Sequence, residues 1–339
     1  MDSFHNASIP AKNPIVQDVL SGDFRAVARL ITLVENGAPE AVPYLRELFP
    51  QTGRSLSIGI TGAPGAGKST LVDGLAGLFR NQGNKVGIIA VDPTSPFTGG
   101  ALLGDRIRMQ SRFLDSGTYI RSMATRGNLG GLARATADVL LILDAAGFNV
   151  VFIETVGVGQ AEVEIARTAQ VTLVLLVPGM GDDVQTLKAG IMEIADIFII
   201  NKADHAGVER IESELKSCLA MSNRPDKWIP PVVKTVATEG KGIAECAQAI
   251  ESWRLFQEDA HLRREKAYQI QKERLLALVS SEIQRNLLRN SRMAAMLEDF
   301  ARQIGDRRMD PFSAAERLLA AWERGDKNLD SEGAKERGK

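Results

Sequence analysis

The chain has 339 residues, of which 44% are hydrophobic and 24% are charged, so it can bury a full core and exceeds the usual size of a single domain. Its 41 basic residues nearly balance the 42 acidic ones, which leaves no overall field that would favour nucleic acid or an anionic membrane as a partner. Cys218 and Cys246 are too few for a disulfide framework and are not spaced as metal ligands, so we expect two ordinary reduced thiols.

The N-terminal part of the chain has a helical pattern. Residues 1–20 lack the apolar core of a signal peptide, and no apolar run reaches the roughly 18 residues that a membrane span needs. We therefore expect a soluble, cytoplasmic protein. Apolar residues recur at helical spacing from Pro14 to Phe49, which predicts an N-terminal helical extension over residues 1–52.

From Leu56 onward the pattern changes to short apolar runs, each followed by a turn and an amphipathic stretch. Runs rich in Val, Ile and Leu with helical crossovers between them are typical of a mostly parallel sheet buried on both faces. This predicts an α/β, doubly wound domain over residues 53–252. The apolar runs cover residues 56–61, 85–92, 118–123, 149–155, 171–178, 196–202 and 231–237.

The remainder of the chain has a helical pattern. Apolar residues follow a helical period from Ile270 to Leu288, and a further helix is expected to begin near Pro311, with Ser313 as a candidate cap. We assign residues 253–325 to a C-terminal helical extension, which either packs back on the core or forms a dimerisation arm. The polar residues 326–339 are assigned to a disordered tail.

A phosphate-binding loop follows the first apolar run. The segment fits the pattern G-x-x-x-x-G-K-[ST], follows a strand and opens an amphipathic helix. Its small residues let consecutive N–H groups approach a phosphate closely. Lys68 is expected to reach the β- and γ-phosphates, and the Ser69 hydroxyl to bind Mg²⁺. The loop consists of Gly62, Ala63, Pro64, Gly65, Ala66, Gly67, Lys68, Ser69 and Thr70.

A second motif indicates the base that is bound. The apolar run DIFII leads into Asn201, Lys202 and Asp204, which form the N-K-x-D pattern of guanine-binding loops. Asp204 can accept hydrogen bonds from guanine N1–H and the 2-amino group together, whereas ATP would leave this carboxylate unpaired. Asn201 would brace the loop, and Lys202 would lay its aliphatic stem along the base. The predicted ligands are GTP and GDP with Mg²⁺. A backbone N–H for guanine O6 is expected from Val236, Ala237 and Thr238.

Acidic residues at other strand ends are candidates for Mg²⁺ binding. Glu154 stands where Ras-like GTPases begin their Asp-x-x-Gly pattern, and Gly157 would offer its N–H to the γ-phosphate. Asp92 ends another apolar run and Asp105 lies in a glycine-rich loop, where the metal and the attacking water need oxygen ligands. The alternatives are a turn residue before Pro93 for Asp92 and a solvated charge for Asp105.

The residue after Gly157 is not the water-orienting glutamine of small signalling GTPases, because Val158 stands there and Gln160 comes later. We therefore expect slow intrinsic hydrolysis. Arg106 and Arg108 are candidates to stabilise charge in the transition state, and a surface arginine is an equal alternative for either.

The segments GAPGAGKST, VDPTSPFTGGALLGDRIRM, FIETVGVGQAE, PGMGDDVQTLKAGIMEIAD and NKAD occur in this order within residues 15–325. In this order they resemble the MeaB/ArgK/MMAA family of GTPase chaperones for cobalamin-dependent acyl-CoA mutases. The resemblance implies a P-loop NTPase fold of the SIMIBI type and a homodimer built through the C-terminal helices. It also implies an adenosylcobalamin-dependent acyl-CoA mutase as partner, which the GTPase protects from inactivation and whose loading by an adenosyltransferase it gates.

The resemblance further assigns a switch to residues 179–188, where Asp182, Gln185 and Lys188 would couple the nucleotide state to the partner. From its residues alone this segment is a polar, glycine-rich stretch after a strand, which suits a conformational element. Methylmalonyl-CoA mutase is the default partner, and isobutyryl-CoA and 2-hydroxyisobutyryl-CoA mutases are competitors.

Two other functions fit the chain less well. A metal-insertion maturation GTPase typically carries a Cys or His cluster, whereas His5, His205 and His261 are widely separated here. A transport-system kinase would use ATP, but the chain has no H-R-D or D-F-G set and its N-K-x-D motif favours guanine.

Overall fold

The computed structural model describes residues 13–92, 115–124, 129–155, 168–179, 192–221, 224, 226–257 and 260–322. Each apolar run of the sequence forms a strand. The strands are β1 (Leu56–Gly62), β2 (Val86–Asp92), β3 (Thr118–Ala124), β4 (Val150–Thr155), β5 (Val171–Leu176), β6 (Ile197–Asn201) and β7 (Val232–Thr235). They form one seven-stranded sheet in the order β3-β2-β4-β1-β5-β6-β7, and every neighbouring pair is parallel. The predicted doubly wound α/β fold is therefore confirmed.

Helices precede, connect and follow the strands. Within the described residues they are α1 (Pro14–Leu20), α2 (Phe24–Glu35), α3 (Ala41–Leu48), α4 (Lys68–Asn81), α5 (Leu129–Ala145), α6 (Val208–Met221), α7 (Ile243–Phe256), α8 (Ala260–Arg289), α9 (Ser291–Gly305) and α10 (311–322). Single helical turns occur at Phe49–Gln51, Met192–Ile194 and Ala237–Glu239.

The N-terminal helices pack with α5 on one face of the sheet, and α1 and α2 begin with side-chain caps. Asn13 Oδ1 accepts the N–H of Ile15 at 3.1 Å, and Asp23 Oδ1 accepts the N–H of Ala26 at 2.7 Å. Such short helices are marginal alone and depend on the apolar side chains that they bury. The buried cluster on this face includes Val16, Val27, Leu30, Ile31, Leu48, Ile89, Val139, Ile142, Phe148, Val151 and Ile153.

Helices also cover the opposite face. There α4 and α7 pack on side chains from the central strands, whereas α6 packs on the alternate side chains of β5 and β6, on the same face as α5. Both faces are therefore dry, which explains why the strands are continuous apolar runs and not alternating ones. Because β1 lies in the centre between β4 and β5, the loop that follows it opens at the carboxyl edge of the sheet, where α/β proteins bind ligands.

Two compact units divide the chain, one ending at Arg274 and the other beginning at Leu275, and α8 runs through this boundary. The second unit carries many large apolar side chains that are exposed. The domain boundaries drawn from the sequence remain predictions, and the predicted disordered tail, residues 326–339, lies outside the described residues. The exposed apolar residues of the second unit include Leu275, Leu276, Leu278, Val279, Ile283, Leu288, Leu297, Phe312 and Leu319.

The start of α10 differs from the prediction that Ser313 caps it. Asp310 is the cap, because its Oδ1 accepts the N–H of Ser313 at 2.9 Å and its carbonyl oxygen accepts the N–H of Ala314 at 3.1 Å. Pro311 takes the first helical position, where its missing N–H has no helical partner to lose. Ser313 therefore lies within the first turn and supplies a donor to the cap.

Both cysteines are free thiols, and burial raises the pKa of the Cys246 thiol to about 12, so that it stays protonated. Among the described residues, no helix combines the length and the apolar character that crossing a membrane requires.

Candidate nucleotide-binding site

The phosphate loop joins the end of β1 to the start of α4. Gly62 has a φ of 141° and Gly67 a φ of 90°, conformations that glycine adopts without strain. A Cβ atom at Gly62 would lie 2.4 Å from the Leu175 carbonyl oxygen, and one at Gly67 would lie 2.4 Å from Asn201 Nδ2. The loop therefore requires glycine at both positions to keep its close approach to β5 and to the N-K-x-D loop.

Lys68 and Ser69 lie in the first turn of α4, and both are buried. Lys68 Nζ donates to the carbonyl oxygens of Gly62 and Ala63 at 2.7 and 3.0 Å, so its charge lies inside the curve of the loop. Ser69 Oγ donates to Glu154 Oε1 at 2.6 Å. The pairing of β1 with β4 thus brings together a hydroxyl and a buried carboxylate from distant parts of the sequence.

Asn201 connects three loops at the carboxyl edge. Its Nδ2 donates to the Ala66 carbonyl oxygen at 2.7 Å, and its Oδ1 accepts from Thr235 Oγ1 at 2.9 Å and from the Ala237 N–H at 3.2 Å. The residue is 3% exposed, so water does not compete for these bonds. Asn201 therefore fixes the phosphate loop relative to the loops after β6 and β7. The Ala237 N–H, one of the donors predicted for guanine, bonds to Asn201 here.

The rest of the N-K-x-D loop is open to solvent. Lys202 has a φ of 55°, a left-handed conformation that is uncommon for a residue with a side chain. The Asp204 side chain is about half exposed, and its Oδ2 lies 3.7 Å from His205 Nε2. An accessible carboxylate can accept hydrogen bonds from a ligand, as the sequence predicts for guanine.

One cavity of about 710 Å³ joins these elements. Its volume lies within the range of small-molecule and cofactor sites. The phosphate loop with Glu154 lines one part of it, and the loops after β6 and β7 line another. The lining residues are Pro64, Gly65, Gly67, Lys68, Ser69, Thr70, Glu154, Thr155, Asn201, Lys202, Asp204, His205, Val236, Ala237 and Thr238.

Thr155 and His205 line this cavity although the sequence analysis assigned neither of them a role. Each directly follows a motif residue, Glu154 or Asp204, and this adjacency was the available signal. The Thr155 hydroxyl also donates to Thr61 Oγ1 at 3.3 Å, which links the ends of β4 and β1.

Of the predicted switch residues, the structure describes Asp92 and Glu154. Asp92 ends β2, opposite Ala124 in the register with β3. Asp105, Arg106, Arg108, Gly157, Asp182, Gln185 and Lys188 lie outside the described residues, so their roles remain predictions. Within the described ranges, no group of three or more His, Cys, Asp or Glu side chains could hold a metal ion.

Comparison with known proteins identifies the family. The profile of the methylmalonyl-CoA mutase-associated GTPase MeaB matches residues 27–292. The chain is 39% identical over 243 residues to the GTPase ArgK of Escherichia coli, covering 69% of this chain and 73% of that protein. It is 32% identical over 333 residues to the mitochondrial methylmalonic aciduria type A homolog of Caenorhabditis elegans, covering 92% of this chain and 83% of that one.

A solved structure agrees with this assignment. The crystal structure of an LAO/AO transport system kinase has a TM-score of 0.70 and 26% identity, and the match covers 95% of this chain and 100% of that one. The parallel sheet, the phosphate loop after its central strand and the guanine-type loop after β6 fit the SIMIBI type of P-loop fold. The chain therefore belongs to the MeaB family of methylmalonyl-CoA mutase-associated GTPases, and it is a P-loop GTPase.

Proposed function

We propose that this GTPase is a chaperone that uses GTP hydrolysis to gate the loading of adenosylcobalamin into an acyl-CoA mutase and to protect that mutase. The observation that carries the nucleotide part is the single cavity in which Lys68 and Asp204 lie with Asn201 between their loops. The partner is inferred from the names of relatives, which refer to methylmalonyl-CoA mutase and to methylmalonic aciduria. Methylmalonyl-CoA mutase is thus the first candidate, and the adenosyltransferase that loads it is a second partner.

The residues of the cavity suit a guanine nucleotide with Mg²⁺. Glycines hold the phosphate loop where any Cβ would collide, so backbone N–H groups can reach phosphate oxygens. Lys68 would contact the β- and γ-phosphates. Asp204 would accept hydrogen bonds from guanine, and Thr238 would offer a backbone N–H to guanine O6. Ser69 Oγ and Glu154 Oε1, which are 2.6 Å apart, offer the hard oxygen donors that Mg²⁺ prefers. Asp92 and Asp105 would complete this set, and the metal would neutralise phosphate charge.

The hydrolytic step is proposed to need help from the partner. The chain has Val158 where small GTPases place a water-orienting glutamine, so free protein would hydrolyse GTP slowly. Gly157 would sense the γ-phosphate, and Arg108 would stabilise transition-state charge, with Arg106 as the other candidate. The segment 179–188, with Asp182, Gln185 and Lys188, would respond to the mutase and complete the site.

The second unit supplies an argument for a homodimer. Its helices expose apolar side chains such as Leu275 at 61% and Ile283 at 44%, a pattern that marks association surfaces. We propose that these side chains pair with those of a second copy. Light scattering should report a dimer for the wild type and a monomer for a Val279→Lys, Ile283→Lys double variant. A dimer that persists in the double variant would place the interface elsewhere.

Guanine selection is tested at Asp204. Asp204→Asn should weaken GTP and GDP binding by about 10-fold to 100-fold, because a carboxylate that pairs with two guanine donors becomes an amide. Xanthine nucleotides, whose 2-oxo group suits an amide donor, should bind this variant better than the wild type. Calorimetry with guanine and xanthine nucleotides measures this change in base preference. Equal binding of ATP and GTP by the wild type would contradict the assignment of Asp204 to guanine selection.

The chaperone role is tested separately by measuring steady-state GTP hydrolysis with and without the purified mutase. The mutase should accelerate the wild type by at least about 10-fold, since completion of a GTPase site in trans can contribute several orders of magnitude. Lys188→Ala should keep basal hydrolysis and lose most of the acceleration. Undiminished acceleration in the variant would exclude the 179–188 segment as the coupler, and no acceleration of the wild type would exclude this partner.

A further inference from the structure

A second cavity of about 360 Å³ lies in the first compact unit, beside the residues that lead into β1. It is formed where α5, α7 and the first half of α8 meet this segment. Its volume falls at the lower end of the range for small-molecule sites. The lining residues that matter below are Ser55, Leu140, Asp144, Trp253, Lys266, Ile270, Gln271 and Arg274.

Two buried polar atoms in the lining residues have no hydrogen-bond partner within the described part of the chain. They are Trp253 Nε1 and Ser55 Oγ, and their residues are only 4% and 6% exposed. The indole N–H is a donor only, and among the described residues it has no acceptor, so a ligand or water can supply one. A buried donor without a partner costs free energy in an isolated fold, so its persistence calls for a ligand or ordered water.

The charged groups of the same lining favour an anion. Asp144 is the acidic member among the described lining residues, and its carboxylate already accepts backbone N–H groups of Gly53 at 2.6 Å and Ser55 at 3.1 Å. Lys266 and Arg274 each bind one carboxylate, Asp196 at 2.9 Å and Asp138 at 2.7 Å.

An ammonium has three donors and a guanidinium five, so one bound carboxylate leaves both cations able to donate again. The two cations therefore have donors available for a further acceptor in the cavity. The lining also includes apolar side chains, among them Leu56, Leu140, Leu141, Ala267 and Ile270. A ligand that matches both features has an anionic acceptor group on an apolar body.

We propose that this cavity is a binding site for a small organic carboxylate with an apolar body, distinct from the nucleotide site. The carboxylate accepts hydrogen bonds from Trp253 Nε1 and from Lys266 or Arg274, and the apolar body packs on Leu140 and Ile270. Because α5, α7 and α8 all contribute lining residues, the bound ligand contacts both the first half of α8 and the GTPase core and stabilises their packing. Such binding also stabilises the folded protein by mass action.

The test uses 4-phenylbutyrate as the probe and its neutral amide as the matched control, with the full-length protein saturated with GDP and Mg²⁺ to block the phosphate loop. Calorimetry or ligand-observed NMR should give saturable one-to-one binding of the carboxylate, and the amide should bind at least about 5-fold more weakly. No saturable binding of the carboxylate up to about 10 mM would overturn the proposal and leave ordered water as the occupant. Equal binding of the amide would overturn the assignment to an anion.

Variants then locate the site. Gln271 lies in the exposed part of the lining, so Gln271→Glu should fold normally and weaken the carboxylate by about 10-fold through repulsion. Gln269→Glu adds the same charge on the same helix outside the lining and should change the affinity less than about 2-fold. Trp253→Phe keeps an aromatic side chain, removes the N–H and should weaken binding about 5-fold. If Gln271→Glu and Trp253→Phe both bind the probe as the wild type does, the probe binds elsewhere and the proposal fails.

Discussion

The amino ends and the carboxyl ends of the strands form two edges of the central sheet, the amino edge and the carboxyl edge. The backbone groups at these two edges find their partners in different ways. Strands that end at an edge leave backbone N–H and C=O groups that need partners. At the amino edge the chain supplies carboxylates of its own: Asp144 accepts N–H groups before β1, Asp196 accepts the N–H of Thr172 at 3.0 Å, and Asp115 accepts the N–H of Gly117 at 2.9 Å. At the carboxyl edge the glycine loop carries Lys68 and faces a cavity.

This difference between the two edges implies that the residues of one edge mainly stabilise the fold and those of the other mainly serve function. A carboxylate that accepts from backbone N–H groups and cations of the protein stabilises the fold, so its replacement should act mainly on folding. The carboxyl edge keeps its donors and charges for phosphate and base, so changes there should act on binding and turnover. Substitution of matched residues at the two edges can break or sharpen this division.

The largest effect is expected at Asp196, which is 2% exposed. Its carboxylate accepts from Arg224 at 3.1 Å, from Lys266 at 2.9 Å and from the Thr172 N–H. Asp196→Ala should lower the free energy of unfolding by about 3–5 kcal/mol, because it leaves cations and an N–H group without their buried partner. Denaturant unfolding followed by circular dichroism measures the change.

The control for this prediction is Asp226, whose side chain is 28% exposed while it contacts the same Arg224. Asp226→Ala should cost about 1 kcal/mol or less. GDP affinity of folded Asp196→Ala should stay within about 2-fold of the wild type, because the residue lies at the amino edge. A large loss of GDP affinity with little loss of stability would contradict the division between the edges.

At the carboxyl edge Lys68→Ala should have the reverse profile. GTP turnover should fall by about 100-fold to 1,000-fold, since a charge aimed at the transferring phosphoryl group is lost. The unfolding free energy should change by less than about 1 kcal/mol, because water can reach the loop carbonyl oxygens that Lys68 leaves behind through the cavity. Turnover assays and denaturant unfolding of the same preparation give both values. Lys85 at the amino edge provides the matched control, and Lys85→Ala should leave GTP turnover unchanged. A normal turnover rate in Lys68→Ala would exclude the loop as the phosphate site.

The sequence predicts the carboxyl edge far better than the amino edge. The phosphate loop and the N-K-x-D loop are contiguous motifs whose residue types follow from the ligand, and all seven strands follow from continuous apolar runs. Asp144 and Asp196 belong to no motif, and their backbone partners lie 91 and 24 residues away, so only the folded register brings them together. The cap of α10 was misplaced for a local reason, since Asp310 and Ser313 are both good capping residues and Pro311 favours the earlier one.

The smallest effect is expected at the third carboxylate of the amino edge, and it depends on pH. Asp115 accepts from Arg80 Nε at 2.7 Å and also from the Gly117 N–H and Thr118 Oγ1. These bonds, led by the one from Arg80, hold the pKa of the Asp115 carboxyl well below its ordinary value. A carboxyl whose pKa is lower in the folded state adds stability at pH values above its unfolded pKa and loses it as the pH falls toward the folded pKa.

Asp115→Asn should therefore cost about 1 kcal/mol at pH 6, since the pair is partly exposed to solvent. The cost should shrink below about pH 4, where the wild-type carboxyl begins to take up its proton in the unfolded state. Denaturant midpoints of both proteins between pH 6 and pH 3 give this difference directly, and Asp18→Asn at an exposed position of α1 serves as a control for a general effect of charge. The difference in denaturant midpoint between wild type and Asp115→Asn could instead stay constant from pH 6 to pH 3. That result would mean that packing, and not the charge of this carboxylate, stabilises the amino end of β3.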